Sequence, residues 1–278
     1  HLAQFGEVDG VTLEGVYDPL EGAAAAAARE FGVSKVYESD SALIDSSEID
    51  AVVLAVPNKL HAPLAVKALE AGKHVLLEKP MALSGTLAAD IVKAQKKSGT
   101  VLMIAHQQRW DDLSLKIKAQ ADAGEFGRIY NAKTAMWRTC GIPGWGSWFT
   151  RMAESGGGPL IDIGVHAVDL AMYLMGNPKP VSVFGSTYAE FGPDKRGIGS
   201  WGTPQWDGVF DVEDLATAMI KMEDGSTLTL EVSWAANTDP DNGQVLHLMG
   251  TEGGVSMYRG RAMFIHQKFG QTCTTEIK

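Results

Sequence analysis

Cysteine is almost absent from this 278-residue sequence: Cys140 and Cys273 are the only two, and they lie far apart. That scarcity excludes a disulfide framework and a zinc site, and it suits a reducing compartment. No run of 18 apolar residues occurs, so no segment reads as a membrane span. The first ten residues include Glu7 and Asp9 and lack an apolar core, so they do not read as a secretory leader. A cytoplasmic location is the expectation. Positive charge is scarce as well, with 24 Lys and Arg against 34 Asp and Glu and a net charge of −10. Polyphosphate partners select basic faces, so neither nucleic acid nor an anionic membrane is an expected partner.

What is present is ample apolar material, 45% of residues, in a chain long enough for two domains. The first stretch alternates strands and helices at crossover length. Strands are expected at Val11–Tyr17, at Ala51–Val56 (apolar throughout, hence buried on both faces), at His74–Leu77 and at Thr100–Ala105. Helices are expected at Glu21–Phe31 before Gly32, at Leu60–Ala71 before Gly72, and from a Ser84 cap to Ser98 before Gly99. This pattern predicts a doubly wound parallel sheet of nucleotide-binding type over residues 1–106. From 107 to 278 the pattern changes. A helix at Asp111–Ala123 and a strand at Arg128–Arg138 lead to a Gly/Trp-rich loop and a very apolar helix, Pro159–Met175. Strands then follow turns: Val181–Glu190, Gly208–Met222, Ser226–Ala236 and Gln244–Gly250. The expectation is an α+β domain built on a large, mostly antiparallel sheet with helices on one face.

Several residues stand where chemistry is done. Asp18 follows the strand Val11–Tyr17, and in a doubly wound domain an acid at the end of the second strand can accept from the adenosine ribose and repel a 2′-phosphate, favouring NAD over NADP. It is also an ordinary turn residue before Pro19. Pro57, Asn58 and His61 follow the next strand, at the carboxyl end where a cofactor lies, and Asn58 equally makes a helix cap. Glu78-Lys79-Pro80 closes the strand after that. Proline restricts Lys79 to extended geometry, and a lysine fixed there can polarise a carbonyl or hold an alkoxide, although a plain surface lysine reads the same. On the apolar helix, Asp162, His166, Asp169 and Tyr173 share one narrow stripe. Asp162 and His166, one turn apart, form either an orienting acid with its base or a satisfied structural pair. Three glycines, Gly156 to Gly158, leave the preceding backbone free to approach a ligand. Trp145, Trp148, Arg138 and Arg151 cluster upstream, with Trp137 beside them and Trp201 and Trp206 in a later loop, as sugar platforms and hydroxyl donors or as packing. No metal site is expected.

Asp18-Pro19, Ile49 to His61, Ala71 to Pro80 and the Gly156–Asp169 block together resemble the glucose–fructose oxidoreductase / inositol dehydrogenase / MocA family. The resemblance runs through both domains. Glu-Lys-Pro after a strand joined to Asp-x-x-x-His on a later helix is the specific part. It implies a Rossmann domain, an open-faced sheet domain that mediates homo-oligomerisation, and hydride exchange between nicotinamide and a secondary alcohol of a sugar, inositol or glycoside. By position, Lys79 would hold the reacting oxygen, His166 would take the proton and Asp162 would assist. Asp18, Pro57, Asn58, His61, Glu78 and Lys79, with Arg109 and Trp148, would contact NAD. Arg138, Trp145 and Arg151, with Lys79, Asp162 and His166, would face the sugar. The family's first strand and glycine-rich loop do not appear, and the family continues beyond Lys278; both read as truncation. An enzyme that retains its NAD for redox-neutral sugar chemistry, and a dinucleotide sensor without turnover, are the competing expectations.

Overall fold

The structure is a computed structural model that describes residues 1–238, 243–258 and 260–277. Lys278, where the expected second domain ends, lies outside them. The chain divides into two compact units, His1–Ala105 and His106–Lys278.

The first unit runs α1 (Leu2–Gly6), β1 (Gly15–Val16), α2 (Ala23–Phe31), β2 (Lys35–Val36), α3 (Asp40–Ile44), β3 (Ala51–Leu54), α4 (His61–Glu70), β4 (His74–Leu77), α5 (Gly85–Ser98) and β5 (Leu102–Ile104). Local chemistry sets the helix ends. Ser84 Oγ accepts from Leu87 N at the start of α5, and Gly32 and Gly99 close α2 and α5 at φ of 68° and 71°, a left-handed turn that only glycine makes cheaply. β3, β4 and β5 form one parallel sheet, in which Val52 pairs with Val75 and Leu54 with Leu77. Their inward side chains pack with Ile44, Ala65, Leu69 and Ile91, each large apolar group contributing about 1.5–3 kcal/mol by burial.

Two expectations change here. β1 is only Gly15–Val16 and pairs with β2 in a separate two-stranded sheet. In the doubly wound order the first strand lies between those two groups, and no strand of the described residues takes that place. β3 is also not buried on both faces: Val52 and Leu54 face the core, while Val53 is 38% exposed. An apolar run reports burial but not how many faces are covered.

The second unit continues with α6 (Asp112–Asp122), β6 (Ile129–Trp137), α7 (Met152–Ser155), a π-helical segment (Leu160–Gly164) and α8 (Val165–Leu174). Strands β7 (Pro180–Tyr188), β8 (Leu215–Met222), β9 (Thr227–Ser233), β10 (Gln244–Gly250), β11 (Gly253–Tyr258), β12 (Arg261–Lys268) and β13 (Gln271–Ile277) follow. They form an eight-stranded sheet in the order β13-β12-β11-β10-β6-β9-β8-β7, antiparallel except for β6 beside β9. α8 lies against the middle of it, over β6, β9 and β10. Leu228, Leu230 and Val232 of β9 point towards the helix, and Glu231 between them points away, the period-2 pattern of a half-covered sheet. β7 departs from that pattern, since every one of its residues is exposed.

The strand expected from Gly208 starts only at Leu215. The residues before it brace their surroundings instead. A Cβ on Gly208 would stand 2.2 Å from Gly146 O, and Asp211 and Asp214 accept backbone N–H groups from Met152 and from Phe191 and Gly192. Backbone-directed carboxylates of this kind compete with a sheet ladder.

Candidate active site

In the first unit the carboxyl ends of β3 and β4 deliver Pro57-Asn58 and Glu78-Lys79 to one edge of the sheet. Asn58 is 7% exposed and opens a single 3₁₀ turn before α4. Glu78 is partly buried, with Oε1 2.8 Å from His1 Nε2 and Oε2 accepting from Lys79 N at 3.1 Å. The Lys79–Pro80 peptide is cis. His61, expected at the cofactor, is fully buried, with Nδ1 2.6 Å from Pro80 O and Nε2 2.9 Å from Val56 O. It ties the loop after β3 to the loop after β4, and with no exposed surface it is a clamp rather than a contact residue. Asp18 is exposed just past β1, and its Oδ1 accepts from Leu20 N at 2.8 Å. The turn role and an available carboxylate coexist there.

These residues fit a dinucleotide. Its usual place is the carboxyl edge of parallel strands, and the edge formed by β3 and β4 carries Pro57, Asn58, Glu78 and Lys79, with Asp18 past β1 in the neighbouring sheet.

In the second unit the site is built around the start of the long helix. α7 ends at Gly156, whose φ is 82° and whose N–H returns to Met152 O. Gly158 is close-packed: a Cβ there would stand 1.9 Å from Glu213 O. Gly156 therefore serves a helix cap and Gly158 a tight approach to the protein's own backbone. The Glu213 carboxylate accepts from Gly158 N at 2.9 Å and from Leu160 N at 3.1 Å. It satisfies amides that the helix start leaves without an intrahelical partner, at the positive end of the helix dipole.

Asp162 sits inside the π segment, a geometry frequent at functional sites. Its Oδ2 accepts from Trp234 Nε1 at 2.9 Å. His166 follows one turn later and is 9% exposed. The lower half of the predicted stripe has another fate. Arg109 donates through Nε to Asp169 Oδ2 at 2.7 Å and through Nη2 to Oδ1, while His106 Nδ1 lies 3.6 Å from Asp169 Oδ2. The Arg109 carbon Cζ also stands 4.9 Å from the centre of the Tyr173 ring. Hydrogen bonding to Asp169 pushes the Arg109 pKa up. Two of its donors are thus committed inward rather than to a cofactor.

The aromatic cluster divides in the same way. Trp145, expected at the sugar, is 5% exposed, donates Nε1 to Gly192 O at 2.7 Å and stacks with Trp206 and Phe210. It is a packing residue. Arg151 holds Gly146 O through Nε and Nη2 and Gln205 Oε1 through Nη2, so it braces two loops. Trp148 is half-buried against Phe149, and Arg138 is exposed. Trp201 and Trp206 keep 62% and 54% of their surface exposed. Sequence reading missed Trp234 and Glu213. The first looks like one more strand aromatic, and the second sits in a stretch expected to be a strand.

Among the described residues, no three or more His, Cys, Asp or Glu side chains come together as a metal site, and no helix is long and apolar enough to cross a membrane.

The parallel-stranded unit followed by a sheet unit bearing Asp162 and His166 is the plan of a dinucleotide-dependent oxidoreductase, and the comparisons agree. Residues 1–106 match "Oxidoreductase family, NAD-binding Rossmann fold", and residues 114–256 match "GFO/IDH/MocA C-terminal domain". D-glucoside 3-dehydrogenase of Escherichia coli (strain K12) is 32% identical over 93% of this chain and 73% of its own length. Levoglucosan dehydrogenase of Pseudarthrobacter phenanthrenivorans is 31% identical over 84% of this chain and 61% of its own. Among solved structures, a levoglucosan dehydrogenase in complex with NADH and levoglucosan superposes with a TM-score of 0.83 at 26% identity, covering 96% of this chain and 70% of that one. The chain belongs to the Gfo/Idh/MocA oxidoreductase family. It spans roughly three fifths to three quarters of the length of these relatives.

Proposed function

We propose that the protein oxidises a secondary alcohol of a sugar, inositol or glycoside, with Lys79, Asp162 and His166 as its catalytic set. A bound nicotinamide would supply the hydride acceptor for the carbinol hydrogen. Lys79 binds the reacting oxygen, and its ammonium stabilises the negative charge that grows there as the hydroxyl proton leaves. His166 takes that proton. Asp162 holds the imidazole in orientation and steadies the imidazolium that forms. In the reverse direction the same groups protonate a carbonyl oxygen. One observation carries the reading: in a member of this family, Asp162 and His166 stand one turn apart at the start of a buried helix, with the acid already anchored by an indole N–H.

NAD is favoured over NADP because Asp18 presents an exposed carboxylate past β1, where a 2′-phosphate would be repelled. Pro57, Asn58 and Glu78 complete the cofactor side. D-glucosides and levoglucosan, named by the relatives, are the first substrates to try. The directly paired Phe184 and Met219 on β7 and β8 are 79% and 53% exposed, which supports a homo-oligomer assembled through this sheet. The test is NAD reduction over a panel of glucosides, anhydrosugars and inositols, repeated with NADP. Turnover of one compound is expected with NAD, falling by about 10²–10⁴ in Lys79→Ala and in His166→Ala. Undiminished turnover in both variants would overturn the assignment.

A further inference from the structure

We infer that Trp234 is a positioning residue for this chemistry: its indole N–H fixes the Asp162 carboxylate that aims His166. The inference rests on the roles proposed above for Asp162 and His166.

Trp234 directly follows β9 and is fully buried. It is held at both ends. Its backbone N–H donates to Asp214 O at 2.9 Å, and its Nε1–H donates to Asp162 Oδ2 at 2.9 Å. Asp214, 1% exposed, is itself fixed by the N–H groups of Phe191 and Gly192 on its Oδ2. The spacing between β9 and the π segment is set by close packing, since a Cβ on Gly164 would already stand 3.3 Å from Val232 Cγ2. The indole therefore has little freedom to turn its N–H elsewhere.

Any buried tryptophan needs an acceptor, so the hydrogen bond alone says little. The kind of acceptor says more. Trp145 gives its N–H to a backbone carbonyl, the ordinary solution, whereas Trp234 gives its N–H to a carboxylate in the irregular turn one step before His166. The donor is also neutral. A carboxylate that must steady an imidazolium has to keep its charge, and an arginine would hold it in place but cancel that charge. An indole N–H orients the group without neutralising it. Asp169, seven residues on, is bonded to the Arg109 guanidinium.

Trp234→Phe keeps an aromatic ring in the space and removes the donor. We expect kcat to fall by about 10–100-fold, because small misplacements near the chemistry cost that much, with KM for the sugar and for NAD unchanged. In an Asp162→Ala background the same substitution should cost nothing further. Unchanged kcat in Trp234→Phe, or an equal loss in both backgrounds, would overturn the inference and leave Trp234 as packing. A second measurement does not need that variant to fold. Of the seven indole N–H resonances the sequence allows, one should move upfield on its own when Asp162 becomes Asn, and no selective shift would count against the contact. Were Asp162→Ala and His166→Ala themselves fully active, the functional reading would fail, while the indole shift would still report on the hydrogen bond.

Discussion

Two acids seven residues apart, Asp162 and Asp169, are expected from their spacing on one stripe of the same apolar segment, and they meet opposite surroundings. Asp162, in the π turn, is held by the neutral N–H of Trp234. Asp169, in the regular α8, is gripped by the Arg109 guanidinium with His106 close by. Periodicity gives both the same reading, since it records only which side of the helix a residue faces. What separates them comes from elsewhere in the chain: an aromatic 72 residues downstream in one case and an arginine 60 residues upstream in the other. A carboxylate matched by a full positive charge is spent on holding structure.

Exchanging the two losses breaks the comparison most directly. Asp162→Asn should lower kcat by about 10²–10⁴ while moving the thermal midpoint little. Asp169→Asn should do the reverse. It leaves Arg109 without its ionic acceptor at a cost of about 1–2 kcal/mol, at the low end for a charged hydrogen bond because the Arg109 side chain is 34% exposed. That corresponds to roughly 2–8 °C in a domain of this size. Turnover assays beside thermal melts of both variants decide it, and equal effects on both readouts would erase the distinction.

Next in size is a change that should strike both readouts. Gly158 carries no ligand role in the structure, only a place too tight for a side chain, with Glu213 O 1.9 Å from where a Cβ would be. Gly158→Ala should push Glu213 off the amides of residues 158 and 160, tilt the turn that carries Asp162, and cost about 1–3 kcal/mol by overpacking. Turnover should fall by as much as about 10²-fold through misplacement of Asp162. An alanine variant with normal kcat and normal melting would mean that the turn yields easily and that Glu213 does not aim the helix.

How much of this was legible beforehand follows from what a local pattern can carry. The helix ends at Gly32 and Gly99, the parallel strands β3 and β4, and the strand Gln244–Gly250 were readable because glycine caps and apolar runs act on their immediate neighbours. The alternation of parallel and antiparallel regions, and with it the fold, was readable for the same reason. Gly208–Asp214 was misjudged as strand, because Asp211, Glu213 and Asp214 make their hydrogen bonds to backbone far away in sequence. His61 looked like a ligand contact from its place after β3 and Trp145 from its residue type, and only the fold shows them buried against backbone carbonyls. Within the site, the placement of Asp162 and His166 one turn apart at the start of the long helix was visible in the spacing. The group that holds Asp162 was not, since nothing in the sequence tells one buried tryptophan from another.

The smallest effect sharpens the comparison furthest. Arg109→Lys preserves the positive charge beside Asp169 but replaces a planar fork, bonded through Nε and Nη2, with a single ammonium. It also loses the flat guanidinium face lying over Tyr173. Lysine is a poor substitute at a bidentate, stacked position, yet the Coulombic part survives, so the melt should fall by less than for Asp169→Asn, with a cost of about 0.5–1 kcal/mol. Affinity for NADH, read by fluorescence titration, should not change, because the donors being altered point at Asp169. A variant with an unaltered melt and weakened NADH binding would show Arg109 serving the cofactor, the role its sequence position suggested, and Asp169 would then belong with Asp162 among the groups that act on the reaction.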